Sequence, residues 1–205
     1  MKKLLILIWV IFLFTFTTNI GSTEKTVLEL TENDFIIGNE NAPITIIEYA
    51  SMSCSHCAHF HNKTLNTIKS EYIDTGKVKY VFRDFPFNYP ALLGSMVIRC
   101  VPEDFRYDYM NALYKLQKNW VSRENKVTTQ ELYKIMQGGG MTKEEFKDCT
   151  GNVELENQIL EGVIAAQKEF NIKSTPSFLI NGYLVEGNKS IKEFRQIIDK
   201  ILSNS

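Results

Sequence analysis

Cys54-Ser55-His56-Cys57 is the segment whose residue types and spacing most directly permit chemistry. Two residues between cysteines bring both sulfurs into one helical turn, close enough to form and break a disulfide. The thiolate is the attacking species in such exchange, and an ordinary cysteine has a pKa of about 8.5. A helix beginning at Cys54 aims unsatisfied backbone N–H groups and the positive end of the helix dipole at its sulfur. His56, protonated or donating, stabilises the same anion. Cys54 is therefore expected to be the nucleophile and Cys57 the deeper, resolving thiol, with Ser55 and His56 as the residues between them. A stabilised thiolate stabilises the dithiol and makes the disulfide a stronger oxidant. A purely structural disulfide is the competing reading. Ala58 directly after Cys57 excludes C-x-x-C-H haem attachment.

The elements that must position this pair are legible on either side of it. Ile44 to Tyr49 is an apolar, β-branched run fit for a strand buried on both faces. Ser53 offers an N-cap oxygen, and a helix is expected from Cys54 to about Tyr72, with Phe60, Leu65, Ile68 and Tyr72 at helical spacing. Gly76 ends it, and Val78 to Phe82 reads as a second core strand. Lys25 to Leu30 is expected to be a short edge strand. From about Ala91 to Phe170 only helical signals appear, including capping-box spacings at Thr128…Glu131 and Thr142…Glu145. Strand character returns at Pro176 to Ile180, Asn181-Gly182 marks a two-residue hairpin turn, and Tyr183 to Val185 answers it. Ser190…Glu193 opens a last amphipathic helix with Ile191, Phe194, Ile197, Ile198 and Ile201 on one face. The fold class is α/β, a thioredoxin-like fold with an inserted all-helical domain. The expected division is a signal peptide over 1–22, a thioredoxin-like domain from 23–90 and 170–205, and the helical insertion over 91–169.

Glu48 falls in the middle of the first apolar strand. Burial favours the protonated form of a carboxyl group, and a carboxyl there suits proton passage to or from Cys57 through water. An edge-facing, solvated Glu48 is the alternative. His59 and His61 follow the C-x-x-C closely, but on a regular helix they point well apart, so they are read as surface or packing residues.

The start of the chain has a separate meaning. Lys2 and Lys3 precede an apolar run, Leu4 to Phe16, broken by Thr15 alone, and small and polar residues follow. That order is a secretory signal peptide, with an uncleaved membrane anchor as the alternative. Export places four cysteines in an oxidising compartment, where disulfides persist. The remaining composition is ordinary for a globular chain, with 44% hydrophobic and 23% charged residues. A net charge of −1 and the lack of a dense Lys/Arg run argue against nucleic-acid binding.

The strand before Glu48…Cys54-Ser55-His56-Cys57, the Arg83-Asp84-Phe85-Pro86 segment and Thr175-Pro176-Ser177-Phe178 together resemble the DsbA-like thiol–disulfide oxidoreductases, from about Phe35 to the chain end. The resemblance implies that Pro176 is the cis-proline facing the active site. It also implies that Thr175 presents backbone for an extended substrate segment to pair with. Glu48 matches the family's buried acid six residues before the nucleophile. Some members carry Pro where this chain has Ser55. Cys100 and Cys149 lie outside the catalytic pair and are expected as a second disulfide in the helical block, against the alternative of two free buried thiols. The implied function is donation of the Cys54–Cys57 disulfide to reduced, unfolded exported proteins in a bacterial periplasm. The implied partner is a DsbB-like, membrane-bound protein that reoxidises the pair; a monomer is expected, with no cofactor and no resident metal. A disulfide isomerase or reductase is the first alternative. A Cys/His metal-binding chaperone is the more distant one.

Overall fold

The computed structural model describes residues 29–31 and 34–204. Expectations about the leader and most of the Lys25–Leu30 segment lie outside those residues.

A five-stranded sheet in the order β1-β3-β2-β4-β5 forms the frame, with β1 Phe35–Ile37, β2 Ile44–Ala50, β3 Val78–Asp84, β4 Ser177–Ile180 and β5 Tyr183–Glu186. β2 and β3 run parallel, while β1 pairs with β3, β4 with β2 and β5 with β4 in antiparallel fashion. Among the described residues the edge beside β3 is Phe35–Ile37, and Glu29 and Leu30, the described end of the expected Lys25–Leu30 strand, are not in a strand. Side chains alternate across a strand. Ile44, Ile46 and Ala50 accordingly join the core on one face, and Ile47 and Tyr49 the core on the other. Glu48 shares the alternation of Ile46 and Ala50, which directs it to the first face.

That first face is covered by the helical run over 55–73, here α1. Two of its turns are wide: Ser55–Phe60 and Asn66–Ile68 are α-helical, whereas His61–Leu65 and Lys69–Ile73 are π-helical. Cys54, not Ser53, is the N-cap, and it makes no side-chain capping bond. The Ser53 hydroxyl instead donates to Asn88 Oδ1 at 2.9 Å.

Between β3 and β4 the chain forms α2 Tyr89–Cys100, α3 Glu103–Lys115, α4 Gln117–Trp120, α5 Asn125–Gly138, α6 Lys143–Thr150 and α7 Val153–Phe170. The expected capping box at Thr142 is present, as is the one at Ser190 that opens α8 Ile191–Leu202. The one at Thr128 is not. α5 starts earlier, at Asn125, and the Thr128 hydroxyl donates to the Ser122 carbonyl from inside the helix. The helical segment touches both sheet faces. Met110, Leu113, Tyr114 and Trp120 join the core around α1, while Val163, Ala166 and Phe170 of α7 pack with Ile47, Tyr49, Val81 and Leu179 on the opposite face. Cys100 and Cys149 are bridged, with S–S 2.00 Å and Cα–Cα 6.0 Å, tying α2 to α6. Among the described residues no helix is long and apolar enough to cross a membrane.

Candidate active site

The loop that leaves β2 delivers Cys54 to the start of α1 in an extended conformation, φ −78° and ψ 121°. Cys54 thus occupies the N-cap position, with its sulfur at the end of the helix where first-turn N–H groups are left unpaired. Cys54 and Cys57 are unbridged thiols, the first partly exposed and the second buried. The Cys57 thiol is the strongest influence lowering the Cys54 pKa. The Thr175 side chain and the backbone N–H groups of Cys57 and His56 add to it, and together they override partial burial and bring Cys54 to about 5. Hydrogen bonds to a charged acceptor contribute about 1.5–3 kcal/mol each, which is why a few suffice. When Cys54 is protonated, its S–H faces the Thr175 carbonyl oxygen at 3.4 Å.

Cys57, one turn on, has the opposite environment. Full burial pushes its pKa well above that of an ordinary thiol, and the hydrogen bond to Cys54 and the negative charge of Glu48 push the same way. The dithiol therefore holds one thiolate and one thiol at neutral pH, with the thiolate on the sulfur that solvent reaches.

The remaining residues singled out from the sequence divide into those at the sulfurs and those beneath or beside them. The Thr175–Pro176 peptide bond is cis, and Pro176 is buried at the entry to β4. Ser55 and His56 are exposed. The backbone N–H of His56 is among the groups that lower Cys54. Glu48 is fully buried rather than edge-facing. Its Oε2 accepts from the Tyr80 hydroxyl and lies 2.8 Å from His61 Nε2. His59 is exposed, so the two histidines do point apart. His61, however, is 1% exposed and faces inward, stacked on Tyr114 with ring centroids 4.2 Å apart.

Three supports were missed at the sequence level. His61 reaches Glu48 because the π-helical turn beginning there widens the helix, letting Phe60 and His61 both turn to the core; regular helical spacing carries no sign of that turn. Gln117 on α4 sends its amide to the carbonyls of Met52 and Cys54 at 2.9 and 3.0 Å, clamping the loop that carries the nucleophile. Asn88 caps α2 by accepting from Ala91 N–H and also accepts from Ser53, which ties the β3–α2 connection to the same loop. Both contacts span distant sequence positions.

A thiolate-bearing, accessible cysteine beside a buried thiol is the arrangement that accepts or donates a disulfide by attack at the outer sulfur. Comparisons with known proteins agree with this chemistry. The thioredoxin family model Thioredoxin_4 matches residues 30–200. A Rickettsia bellii protein named as a protein-disulfide oxidoreductase is 33% identical over 184 residues, covering 89% of this chain and 70% of that protein. The crystal structure of Wolbachia pipientis α-DsbA1 superposes with a TM-score of 0.81 at 29% identity, covering 87% of this chain and 95% of that one. That of Bacillus subtilis BdbD, in its oxidised form, shares the fold with a TM-score of 0.74 at 22% identity, covering 83% and 94%. The chain thus belongs to the thioredoxin family and, within it, to the DsbA-like protein-disulfide oxidoreductases.

Proposed function

We propose that this protein is an exported disulfide donor that passes the Cys54–Cys57 disulfide to reduced exported proteins through a mixed disulfide on Cys54. The observation that carries the reading is the split between the two thiols: Cys54 held to about 5 at a helix start, and Cys57 buried and raised. In the donating direction a substrate thiolate attacks Cys54 Sγ of the disulfide. The S–S bond breaks, and Cys57 leaves with the electron pair and takes a proton. A second substrate thiolate then attacks the substrate sulfur of the mixed disulfide, and Cys54 leaves as a thiolate. Two electrons pass from substrate to protein, and a low-pKa leaving group speeds the last step. The Thr175 carbonyl beside Cys54 Sγ supports backbone pairing with an extended substrate. Phe87 and Tyr89, exposed on either side of Asn88, support a tolerant apolar rim next to it.

The Lys2-Lys3 and Leu4–Phe16 pattern supports export, with the periplasm as the compartment and a DsbB-like membrane protein as the reoxidising partner. The protein acts as a monomer in this reading. Oxidative refolding of a reduced, denatured ribonuclease tests it, with stoichiometric oxidised protein as the disulfide source. Native activity should return with wild-type protein and not with Cys54→Ser. Loss of substrate thiols that persists in Cys54→Ser would refute the assignment of the nucleophile.

A further inference from the structure

The backbone N–H groups that bear on the Cys54 sulfur belong to His56 and Cys57, and whether the sulfur meets them depends on the backbone of Cys54 itself. Its N–H closes a turn on the Ser51 carbonyl at 3.0 Å, and its carbonyl accepts the first bond of α1, from Ala58 N–H at 3.0 Å. Those two bonds already satisfy the Cys54 backbone. Gln117, a buried residue of the helical segment, adds another from outside. Its amide nitrogen carries two hydrogens and donates to the Met52 carbonyl at 2.9 Å and the Cys54 carbonyl at 3.0 Å. Both acceptors are carbonyl oxygens, so the nitrogen end of the amide is the end that faces the loop.

What the bond to Cys54 adds is direction. Rotation about ψ of Cys54 swings its carbonyl, and the first-turn N–H groups with it, relative to the Cβ–Sγ arm. Holding that carbonyl and the Met52 carbonyl on one amide therefore holds the sulfur against the N–H groups of His56 and Cys57. The base of the clamp is itself fixed. The Trp120 indole, on the same short helix α4, donates to the Leu113 carbonyl at 2.9 Å. Trp120 and Met52 close on Gly94 so tightly that an added Cβ there would meet them at 2.9 and 2.8 Å. At the end of α3 the Tyr114 hydroxyl donates to the Ser51 carbonyl at 3.4 Å, so the helical segment holds the carbonyls of Ser51, Met52 and Cys54. Resting on the nucleophile assignment above, we infer that Gln117 is a positioning residue for Cys54: it fixes the nucleophile's backbone over the start of α1 and thereby sets how strongly the disulfide oxidises. A firmer hold on the thiolate favours the dithiol, so the disulfide takes up electrons more readily.

Gln117→Met keeps the length of the side chain and removes both N–H groups. Reduced protein is titrated through thiolate absorbance with Cys54→Ser as the blank, and the pair is equilibrated in glutathione buffers of defined composition. The Cys54 midpoint should rise from about 5 by about one unit, the effect of weakening a charge-assisted bond. At neutral pH the equilibrium with glutathione should then move about tenfold toward the disulfide, which lowers the potential by about 30 mV. A role in packing alone lowers the melting temperatures of both redox forms together and leaves the midpoint and the equilibrium in place. That result overturns the inference, and so does a shift in the equilibrium without one in the midpoint. Gln117→Asn keeps the amide on a side chain one methylene shorter and should move both readings the same way by less. It decides the matter if Gln117→Met does not fold, and unmoved readings in it then overturn the inference. A thiolate step near pH 5 that persists in Cys54→Ser would instead overturn the nucleophile assignment on which this rests.

Discussion

Replacing Cys57 isolates the source of the Cys54 thiolate. The Cys57 thiol is the foremost influence lowering Cys54, ahead of Thr175 and the two backbone amides. A hydrogen bond to an ionised acceptor is worth about 1.5–3 kcal/mol, and about 1.4 kcal/mol moves a pKa by one unit. Full loss of the donor would raise Cys54 by about one to two units. Cys54 is partly exposed, so water replaces some of the lost bond and the lower end applies. Cys57→Ala should therefore bring Cys54 from about 5 to about 6, and Cys57→Ser, which keeps a hydroxyl donor, should move it less. The assay is the ultraviolet absorbance of the thiolate across a pH series, with Cys54→Ser as the blank. An unchanged or lowered value in Cys57→Ala would refute the reasoning and leave the thiolate to Thr175 and the helix amides.

Three further outcomes follow from the same structure. The depressed Cys54 pKa stabilises the reduced fold fully above the unfolded thiol's value, and this is lost as pH falls through about 5. Half of that window is in force at neutral pH, on the order of 1–2 kcal/mol after discounting for solvent screening; paired melts of the reduced and oxidised forms should diverge in favour of the reduced form as pH rises, and a narrowing gap would contradict the sign. Cys100→Ala with Cys149→Ala opens a loop of sequence separation 49, which the chain-entropy model values at roughly 4 kcal/mol; urea unfolding of the oxidised proteins should show a loss of that order, with the Cys54 titration unmoved. Gly94 lies against the active-site loop, where an added Cβ would meet Met52 Cβ at 2.8 Å and Trp120 Cη2 at 2.9 Å, so Gly94→Ala should lower stability by about 1–3 kcal/mol, and unchanged thermal unfolding would contradict it.

What could be read from the sequence was whatever local spacing encodes. The alternation in Ile44-Thr45-Ile46-Ile47-Glu48-Tyr49 places Glu48 on the face of Ile46, the face that the C-x-x-C helix covers. The turn residues Asn181 and Gly182 take the positive φ of 45° and 86° that their types favour. Capping boxes at Thr142 and Ser190 follow a three-residue rule and are present. The same spacing misleads at Thr128, because a hydroxyl inside a helix can serve a distant loop carbonyl instead. Ser53 looked like a cap because its type prefers that position, yet Asn88, 35 residues away, claims its hydroxyl. His61 was unreadable as a partner of Glu48 for a different reason: its orientation depends on a π-helical turn that regular helical spacing does not anticipate. Gln117 was silent because its two bonds reach across 65 and 63 residues.

The measurement that bears most directly on the account is the reduction potential of the Cys54–Cys57 pair, obtained by equilibrating the protein in glutathione buffers of defined composition. The thiolate held on Cys54 favours the dithiol, so the account predicts a potential well above the glutathione poise, the property of a disulfide donor. A potential well below that poise would contradict it and assign the protein to reduction instead.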